Sequence, residues 1–274
     1  MGREIIVSSG DALQTILLDH GGEMRQVPLE HAGALCVSES QIYCACGDVI
    51  WQMDRRHLIP TGLFGGGPDM RSLTLSKDAT KLFALSGEAD SVLMLSAKNG
   101  EPLLLNRAGV NPRGMALDGD CLAIAGGESG MAYVFCAQSL QLLDAISMPG
   151  PVYSVAIQNG TLYALCMTEE LSSLLITQKR RETRSVLALM GMPGTLLIRK
   201  NDLIAATDGA LHIVSLDGKR LLKRIGISAH PVWMEDTGRE MLLLDGCTER
   251  LFSVGIHGMR LLAGHAAYAV LCMV

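Results

Sequence analysis

The chain has 274 residues, of which 49% are hydrophobic and 19% are charged, and this composition excludes an intrinsically disordered protein. The net charge is −5, from 23 basic and 28 acidic residues, so we expect no nucleic-acid partner. No window reaches the about 20 apolar residues that a membrane-spanning helix requires, and the N-terminal apolar run, Ile5 to Val7, is too short for a signal peptide. We therefore expect a cytoplasmic protein with no membrane partner.

The most regular feature of the sequence is a short apolar strand that ends in a small residue, followed in most copies by glycine. It recurs at intervals of 37 to 42 residues, with copies ending at Gly10, Gly47, Gly87, Gly127, Met167, Gly209 and Gly246. A second apolar strand follows each copy, and a polar turn and a further strand follow in most of them. Every copy except the first is preceded by another strand, joined to it by a hairpin turn such as Asn159-Gly160.

Four short strands in each repeat of about 40 residues predict a β-propeller. Helical repeats do not fit, because no segment keeps apolar residues at helical spacing. We therefore predict an all-β fold, a seven-bladed propeller of four-stranded antiparallel blades, forming one domain over residues 1–274. The predicted blades are, approximately, 267–273 with 4–30, then 31–67, 68–110, 111–149, 150–191, 192–229 and 230–264.

The two ends of the chain predict how the propeller closes. The first repeat lacks its leading strand, because Glu4 already begins the second strand of the unit, and a surplus strand, AYAVLCM, lies at the C-terminus. Pairing the C-terminal strand with the N-terminal blade would remove both open sheet edges. Deleting the last eight residues is therefore expected to unfold the whole domain.

Parts of the repeat resemble known propeller families. The run NPRGMALDGDCLAIAG resembles the repeat of seven-bladed propellers of the YVTN and lactonase-like group, and the runs AGHAAYAV and SGEADSVLMLSAKNGE are similar to the WD40 repeat. The YVTN tetrapeptide and the closing Trp-Asp pair of WD40 repeats are both absent from this sequence. The resemblance implies a fold more than a function, since propellers include enzymes, cofactor proteins and scaffolds.

The connections that enter each innermost strand supply the candidate ligand-binding residues. In a propeller these connections would surround one mouth of the central channel. The candidates are two arginines, three aromatic residues and three histidines in one column of the repeat alignment: Arg71, Arg113, Tyr153, Trp233, Tyr268, His31, His230 and His265. The aromatic residues could anchor a ligand or fill the channel as core. The histidines could bind a transition metal or act as a base, but a hydrogen bond within their own blade explains them better.

The loops after the glycine-marked strands are acidic. They would form an outer rim on the same face, with the residues Asp11, Asp48, Glu88, Asp90, Glu128, Glu169, Glu170, Asp208, Asp245 and Glu249. Such a rim would repel phosphates and attract a cationic partner, whereas Asp and Glu in short loops also serve turn geometry and solubility.

No known catalytic, nucleotide-binding or metal-binding motif occurs in the sequence, so we expect no cofactor and no metal. We favour a non-catalytic binding module that holds a protein or peptide partner on the acidic, aromatic-bearing face. The alternatives are a lactonase-like hydrolase at the channel mouth, which the family resemblance implies, and a metal-dependent lyase or hydrolase built on the three histidines. Whether the protein is an enzyme stays open at this point.

Overall fold

A computed structural model of the chain describes residues 3–17, 24–170, 172–179, 183–238, 240–255 and 258–273. These residues form 27 β-strands. Within the same ranges, no helix is long and apolar enough to cross a membrane.

The strands of the first half of the chain are β1 (Arg3–Ser8), β2 (Gly10–Leu17), β3 (Met24–Val37), β4 (Gln41–Cys46), β5 (Val49–Asp54), β6 (Pro60–Gly65), β7 (Met70–Leu75), β8 (Lys81–Ser86), β9 (Ser91–Ser96), β10 (Pro102–Arg107), β11 (Gly114–Asp118), β12 (Cys121–Ala125), β13 (Met131–Cys136) and β14 (Leu142–Ser147). Those of the second half are β15 (Val152–Gln158), β16 (Thr161–Met167), β17 (Ser173–Lys179), β18 (Thr183–Leu189), β19 (Pro193–Arg199), β20 (Asp202–Thr207), β21 (Ala210–Ser215), β22 (Leu221–Gly226), β23 (Pro231–Asp236), β24 (Met241–Asp245), β25 (Arg250–Gly255), β26 (Gly258–Ala263) and β27 (Tyr268–Met273).

The strands assemble into five four-stranded sheets and one seven-stranded sheet. The seven-stranded sheet has the order β27-β1-β2-β3-β4-β5-β6. The others have the orders β10-β9-β8-β7, β11-β12-β13-β14, β15-β16-β17-β18, β19-β20-β21-β22 and β23-β24-β25-β26. Each four-stranded sheet is one of the predicted meanders of about 40 residues.

The prediction of seven separate four-stranded blades is wrong: the structure has five such blades and an N-terminal sheet of seven strands. The cause is β3, which is 14 residues long and runs through the boundary predicted between residues 30 and 31. Within β3, Ala32 pairs with Gly10 of β2 on one edge and with Cys46 of β4 on the other. No break therefore separates the first two predicted units.

The two ends of the chain pair with each other within the seven-stranded sheet. β27 runs antiparallel to β1, from Ser8 opposite Tyr268 to Arg3 opposite Met273. The other edge of β1 pairs with β2. The first strand is therefore an interior strand, and its side chains Ile5 and Ile6 have no exposed surface.

The chain divides into two compact units. The first comprises Met1–Ala89, Leu93–Leu103 and Glu235–Val274, and the second comprises Asp90–Val92 and Leu104–Met234. In the first unit, Leu82, Phe64 and Tyr43 belong to one apolar core cluster. In the second unit, two clusters contain residues of β12, β15 and β16 and of β19 to β21.

The interior strands β8 and β20 are apolar between their first and last residues, because both of their faces are covered. In β8 and β20 every residue after the first is buried. The outer strands differ: all six residues of β10 are exposed. Burial along the chain therefore follows the position of each strand within its sheet.

A buried pair of polar residues, His212 and Thr207, lies in the sheet that contains β20 and β21. His212 is 1% exposed, and its Nε2 lies 2.9 Å from the hydroxyl of Thr207, which donates to the carbonyl of Met190 at 2.7 Å. In this arrangement Nε2 is the protonated nitrogen, and the buried Nδ1 has no partner. Burial lowers the pKa of His212, the Arg224 charge lowers it further, and a carbonyl contact with Met190 opposes the shift.

We expect His212 to make the stability of the fold depend on pH. Because its pKa in the folded chain is below the ordinary value of 6.5, the contribution is fully present above that pH and is lost as the pH falls below it. Urea unfolding at about pH 7.5 and about pH 5.5 should show this loss, and it should shrink in His212→Phe. The control, His31→Asn, removes an exposed histidine and should keep the wild-type pH dependence; equal dependence in His212→Phe would contradict the assignment.

Candidate ligand-binding site

The backbone of Gly127 holds together the connections that lead into β11 and β15. It forms isolated bridges with Val110 and with Val152, whose amide donates to the Gly127 carbonyl at 2.9 Å. Gly127 has a φ of 60°, and a Cβ there would lie 2.0 Å from the carbonyl oxygen of Asn111. Only glycine allows the two backbones to lie this close together.

Arg113 and Tyr153 follow these two connections directly. The close packing at Gly127 therefore places the two side chains next to each other.

Arg113 and Tyr153 form a stacked pair. The guanidinium carbon of Arg113 lies 4.3 Å from the centroid of the Tyr153 ring, within the range of cation–π attraction. The Arg113 amide donates to the carbonyl of Ala125 at 2.9 Å, and the Tyr153 hydroxyl lies 3.6 Å from the sulfur of Met167. Both side chains are partly buried, and the geometry of the guanidinium is thereby set before any ligand arrives.

The guanidinium of Arg113 has no anionic partner among the residues that the structure describes. Its Nε is buried and donates no hydrogen bond to any of those residues. Two acidic side chains of these connections are engaged by Asn111 instead: Glu128 Oε1 accepts from its Nδ2 at 2.9 Å, and Asp90 Oδ1 accepts from its backbone amide at 2.7 Å. A buried, unpaired donor on a cation is costly, and a bound anion would satisfy it.

The other predicted arginine is already neutralised. Arg71 Nε and Nη2 each lie 2.7 Å from Oδ2 of Asp69. The charges of both groups act on Tyr268. Burial raises the pKa of the Tyr268 hydroxyl, the Asp69 charge raises it further, and the Arg71 charge opposes this. Arg71 therefore influences Tyr268, but its own charge is compensated by Asp69.

The predicted site residues are distributed over the two compact units. Arg71, Tyr268, His31 and His265 belong to the first unit, and Arg113, Tyr153, Trp233 and His230 belong to the second. Trp233 is partly buried in β23. The structure thus brings Arg113 into contact with Tyr153, and it places Arg71 within electrostatic range of Tyr268.

The shared alignment column of the histidines has a backbone explanation. His31 and His265 have φ values of 56° and 57°, and two other residues of the same column, Asp69 and Asn111, have 49° and 53°. Asn, Asp and His tolerate this left-handed conformation better than other residues with side chains. His31 and His265 are exposed, and His230 is partly buried. Across the described residues, no group of three or more His, Cys, Asp or Glu side chains could hold a metal ion.

The acidic loop residues divide between internal and exposed roles. Asp245 is 2% exposed and accepts hydrogen bonds from the Cys247 amide and the Thr248 hydroxyl, so it stabilises its own turn. Eight of the other loop acids are exposed: Asp11, Asp48, Glu88, Glu128, Glu169, Glu170, Asp208 and Glu249. For Asp245, turn geometry explains the acidic residue.

Several residues of these sites are missing from the sequence prediction. Asp69 neutralises Arg71, Asn111 engages Glu128, and Met167 contacts Tyr153. The signal for Asp69 is its position two residues before Arg71, which brings an opposite charge within reach of the guanidinium. The approach of Met167 to Tyr153 depends on strand pairing and has no local signal.

Comparison with known proteins identifies the fold but no family. No family model matches the chain, and no curated protein matches its sequence. Among solved structures, a functionally unknown protein from Desulfotomaculum acetoxidans is similar over 99% of both chains, with 13% identity and a TM-score of 0.81.

Two further solved structures are similar to this chain. The Kuenenia stuttgartiensis hydrazine synthase matches 82% of this chain and 77% of its own, with 14% identity and a TM-score of 0.71. The WD40 repeats of RRP9 match 85% of this chain and 80% of their own, with 14% identity and a TM-score of 0.66. At these identities the likeness shows the fold alone, which is a β-propeller with WD40 repeat proteins among its structural neighbours.

Proposed function

We propose that the protein is a non-catalytic binding module for a protein or peptide, and that Arg113 recognises a carboxylate of the partner. The observation that carries the proposal is the guanidinium of Arg113. It is stacked on Tyr153, its Nε is buried without a partner, and it forms no ion pair within the described part of the chain. A bound anion would supply the partner that this guanidinium lacks.

A carboxylate is the ligand that best matches this geometry. Arginine presents a planar fork of donors that bonds both oxygens of a carboxylate at once. Tyr153 packs against one face of the guanidinium, so a carboxylate would bond the donors in its plane. The ring also restricts the side chain before binding, which lowers the entropy that binding costs.

The structural neighbours are consistent with a binding scaffold. WD40 repeat proteins occur among them, and a propeller of this kind presents short connections from several sheets. The acidic loops retain a role in this proposal, because exposed acids flanking an arginine would favour a partner that carries basic residues next to its carboxylate. The partner is therefore expected to be a peptide segment of mixed charge.

The proposal can be tested with displayed peptides that carry a free C-terminus. A peptide selected on the wild-type protein should bind Arg113→Ala about 30-fold more weakly, because a charge-assisted hydrogen bond in such a site contributes about 2 kcal/mol. Arg113→Lys should recover only part of the affinity, since lysine lacks the planar fork. Isothermal titration calorimetry gives the affinities, and thermal unfolding checks that each variant folds.

The controls separate this site from general charge effects. Arg107→Ala removes an exposed arginine from β10 and should leave the affinity unchanged. Amidating the peptide C-terminus, or replacing its acidic side chains by amides, identifies which carboxylate Arg113 binds. Unchanged affinity in Arg113→Ala, for every selected peptide, would contradict the proposal.

A further inference from the structure

The outer strand of one sheet, β22, carries an unusual concentration of positive charge. Lys223 and Arg224 lie within the strand, Lys219 and Arg220 lie in the turn just before it, and all four are exposed. Asp217 is the acidic residue of that turn, and the Ser215 hydroxyl and the Lys219 amide already bond its Oδ1. Lys223 and Arg224 form no ion pair with any residue that the structure describes.

The strand also offers a free edge with apolar side chains. In the order β19-β20-β21-β22 it is the last strand, so its outer edge pairs with no other strand in the described ranges. Leu221 and Leu222, which begin it, are 46% and 50% exposed. Unpaired backbone groups along an edge strand are a template for another strand.

The turn that leads into β22 is firmly attached to the neighbouring sheet. Tyr163 donates its hydroxyl to the carbonyl of Leu216 at 2.8 Å, and Ser185 donates to the carbonyl of Asp217 at 3.1 Å. Gly218, with a φ of 68°, packs so closely on Thr177 that a Cβ would lie 1.9 Å from its hydroxyl oxygen. The edge is therefore presented in one position, which lowers the entropic cost of adding a strand.

Other outer strands of the four-stranded sheets lack this combination. Among the described residues, β10 contains one cation, Arg107, and β14 contains one acid, Asp144. β26 contains Arg260, which pairs with Glu240 at 3.8 Å. β18 contains Arg184, which donates to the carbonyl of Ser147. Of these outer strands, as far as the structure describes them, β22 is the one that carries two adjacent exposed cations within the strand itself.

We propose that β22 is a docking edge for an acidic, extended peptide segment, which adds to the sheet as a fifth strand. Main-chain hydrogen bonds would hold the segment, Leu221 and Leu222 would contact its apolar side chains, and the cations would select acidic ones. A second copy of this chain does not fit, because pairing β22 with itself would place like charges opposite each other. This surface is separate from Arg113, so the inference stands independently of the carboxylate site.

The register of β22 defines the sequence that such a peptide needs. Lys223 lies opposite Ile213 of β21, and Arg224 lies opposite His212, so the two cations point to opposite faces of the sheet. A matching strand therefore carries acidic residues at two consecutive positions, with apolar residues toward the end that meets Leu221. A ten-residue fluorescein-labelled peptide with two consecutive glutamates, flanked by valine and leucine, is the appropriate probe.

Fluorescence anisotropy with this peptide tests the proposal. The double variant Lys223→Glu with Arg224→Glu should weaken binding at least about tenfold, because each exposed charge pair contributes on the order of 1 kcal/mol. A peptide with lysines in place of the glutamates should bind this variant better than it binds the wild type. Arg107→Glu, a charge reversal on another outer strand, should change the affinity less than about twofold.

Further binding measurements distinguish strand addition from other kinds of binding. The same peptide with N-methylated backbone amides should lose binding, since it cannot pair with the edge. Equal binding of the N-methylated peptide would show attraction by charge alone and would overturn the proposal. Three other results would also overturn the proposal. They are equal affinities of the wild type and the double variant, no binding of the peptide to the wild type, and a charge-dependent preference for vesicles of anionic lipid over the peptide. Thermal unfolding of the double variant checks that it is folded.

Discussion

Deletion of residues 267–274 is expected to abolish the cooperative unfolding transition of the seven-stranded sheet. The deleted segment contains β27, whose backbone pairs with β1 from Arg3 to Ser8. Without it, β1 becomes an edge strand, and Ile5 and Ile6, which have no exposed surface in the full chain, lose the cover of a neighbouring strand. Burial of such side chains is worth about 1.5–3 kcal/mol each, and an exposed apolar edge promotes aggregation.

Circular dichroism during heating and size-exclusion chromatography measure this effect. The truncated chain should melt without a sharp transition or should elute as aggregates. A synthetic peptide of residues 267–273, added in excess, should restore part of the transition, because it supplies the missing strand in trans. A truncated chain that keeps the full melting temperature would refute the structural role of β27.

Replacing Glu4 by glutamine should lower the free energy of unfolding by about 3 kcal/mol. Glu4 lies in β1 and is 3% exposed. Its two carboxylate oxygens contact Arg25 Nη2 and Arg55 Nε, each at 3.3 Å. Arg55 is itself largely buried, with 12% of its side chain exposed, so the substitution removes a negative charge that stabilises this cation in the interior. Arg25 is 46% exposed and contributes less, because solvent screens it.

For a chain of this size the loss corresponds to a fall in melting temperature of roughly 10 °C. Glu39→Gln is the matched control: it makes the same change at an exposed position and should leave the melting temperature within about 1 °C. Combining Glu4→Gln with Arg55→Gln should restore part of the stability, because the largely buried cation is removed together with the carboxylate. A Glu4→Gln variant as stable as Glu39→Gln would show that the ion pair does not stabilise the fold.

Local sequence features predict most of the individual strands. From β7 to β22, short apolar runs alternate with turn residues in the sequence. This pattern predicts the strands, because each of them pairs with a neighbour in the chain through a short hairpin. The boundary inside β3 is not predictable in this way. Residues around His31 read as a connection, but pairing of Ala32 with strands on both sides extends β3 through it.

In the candidate site, too, the sequence predicts individual residues but not the contacts that they make. Arg71 and Arg113 occupy the same place in the sequence repeat, yet Asp69 neutralises Arg71 whereas Arg113 stacks on Tyr153. From the sequence, the histidine column is best explained by a hydrogen bond within each blade, with ligand binding as the alternative. At His31 and His265 the structure shows that it marks a left-handed backbone position. Which residues of a column act together depends on neighbours that are distant in the chain.

The sequence by itself determines an all-β chain of repeated four-stranded meanders, because hydrophobic periodicity and turn chemistry act over a few residues. It also places the C-terminal strand against β1, since an unpaired strand at each end needs a partner. Three features are decided only by tertiary structure: the merging of the first six strands with β27 into one sheet, the pairing of Glu4 with Arg25 and Arg55, and the unpaired guanidinium of Arg113. These features depend on packing and on charges brought together from separate parts of the chain, and no local pattern encodes them.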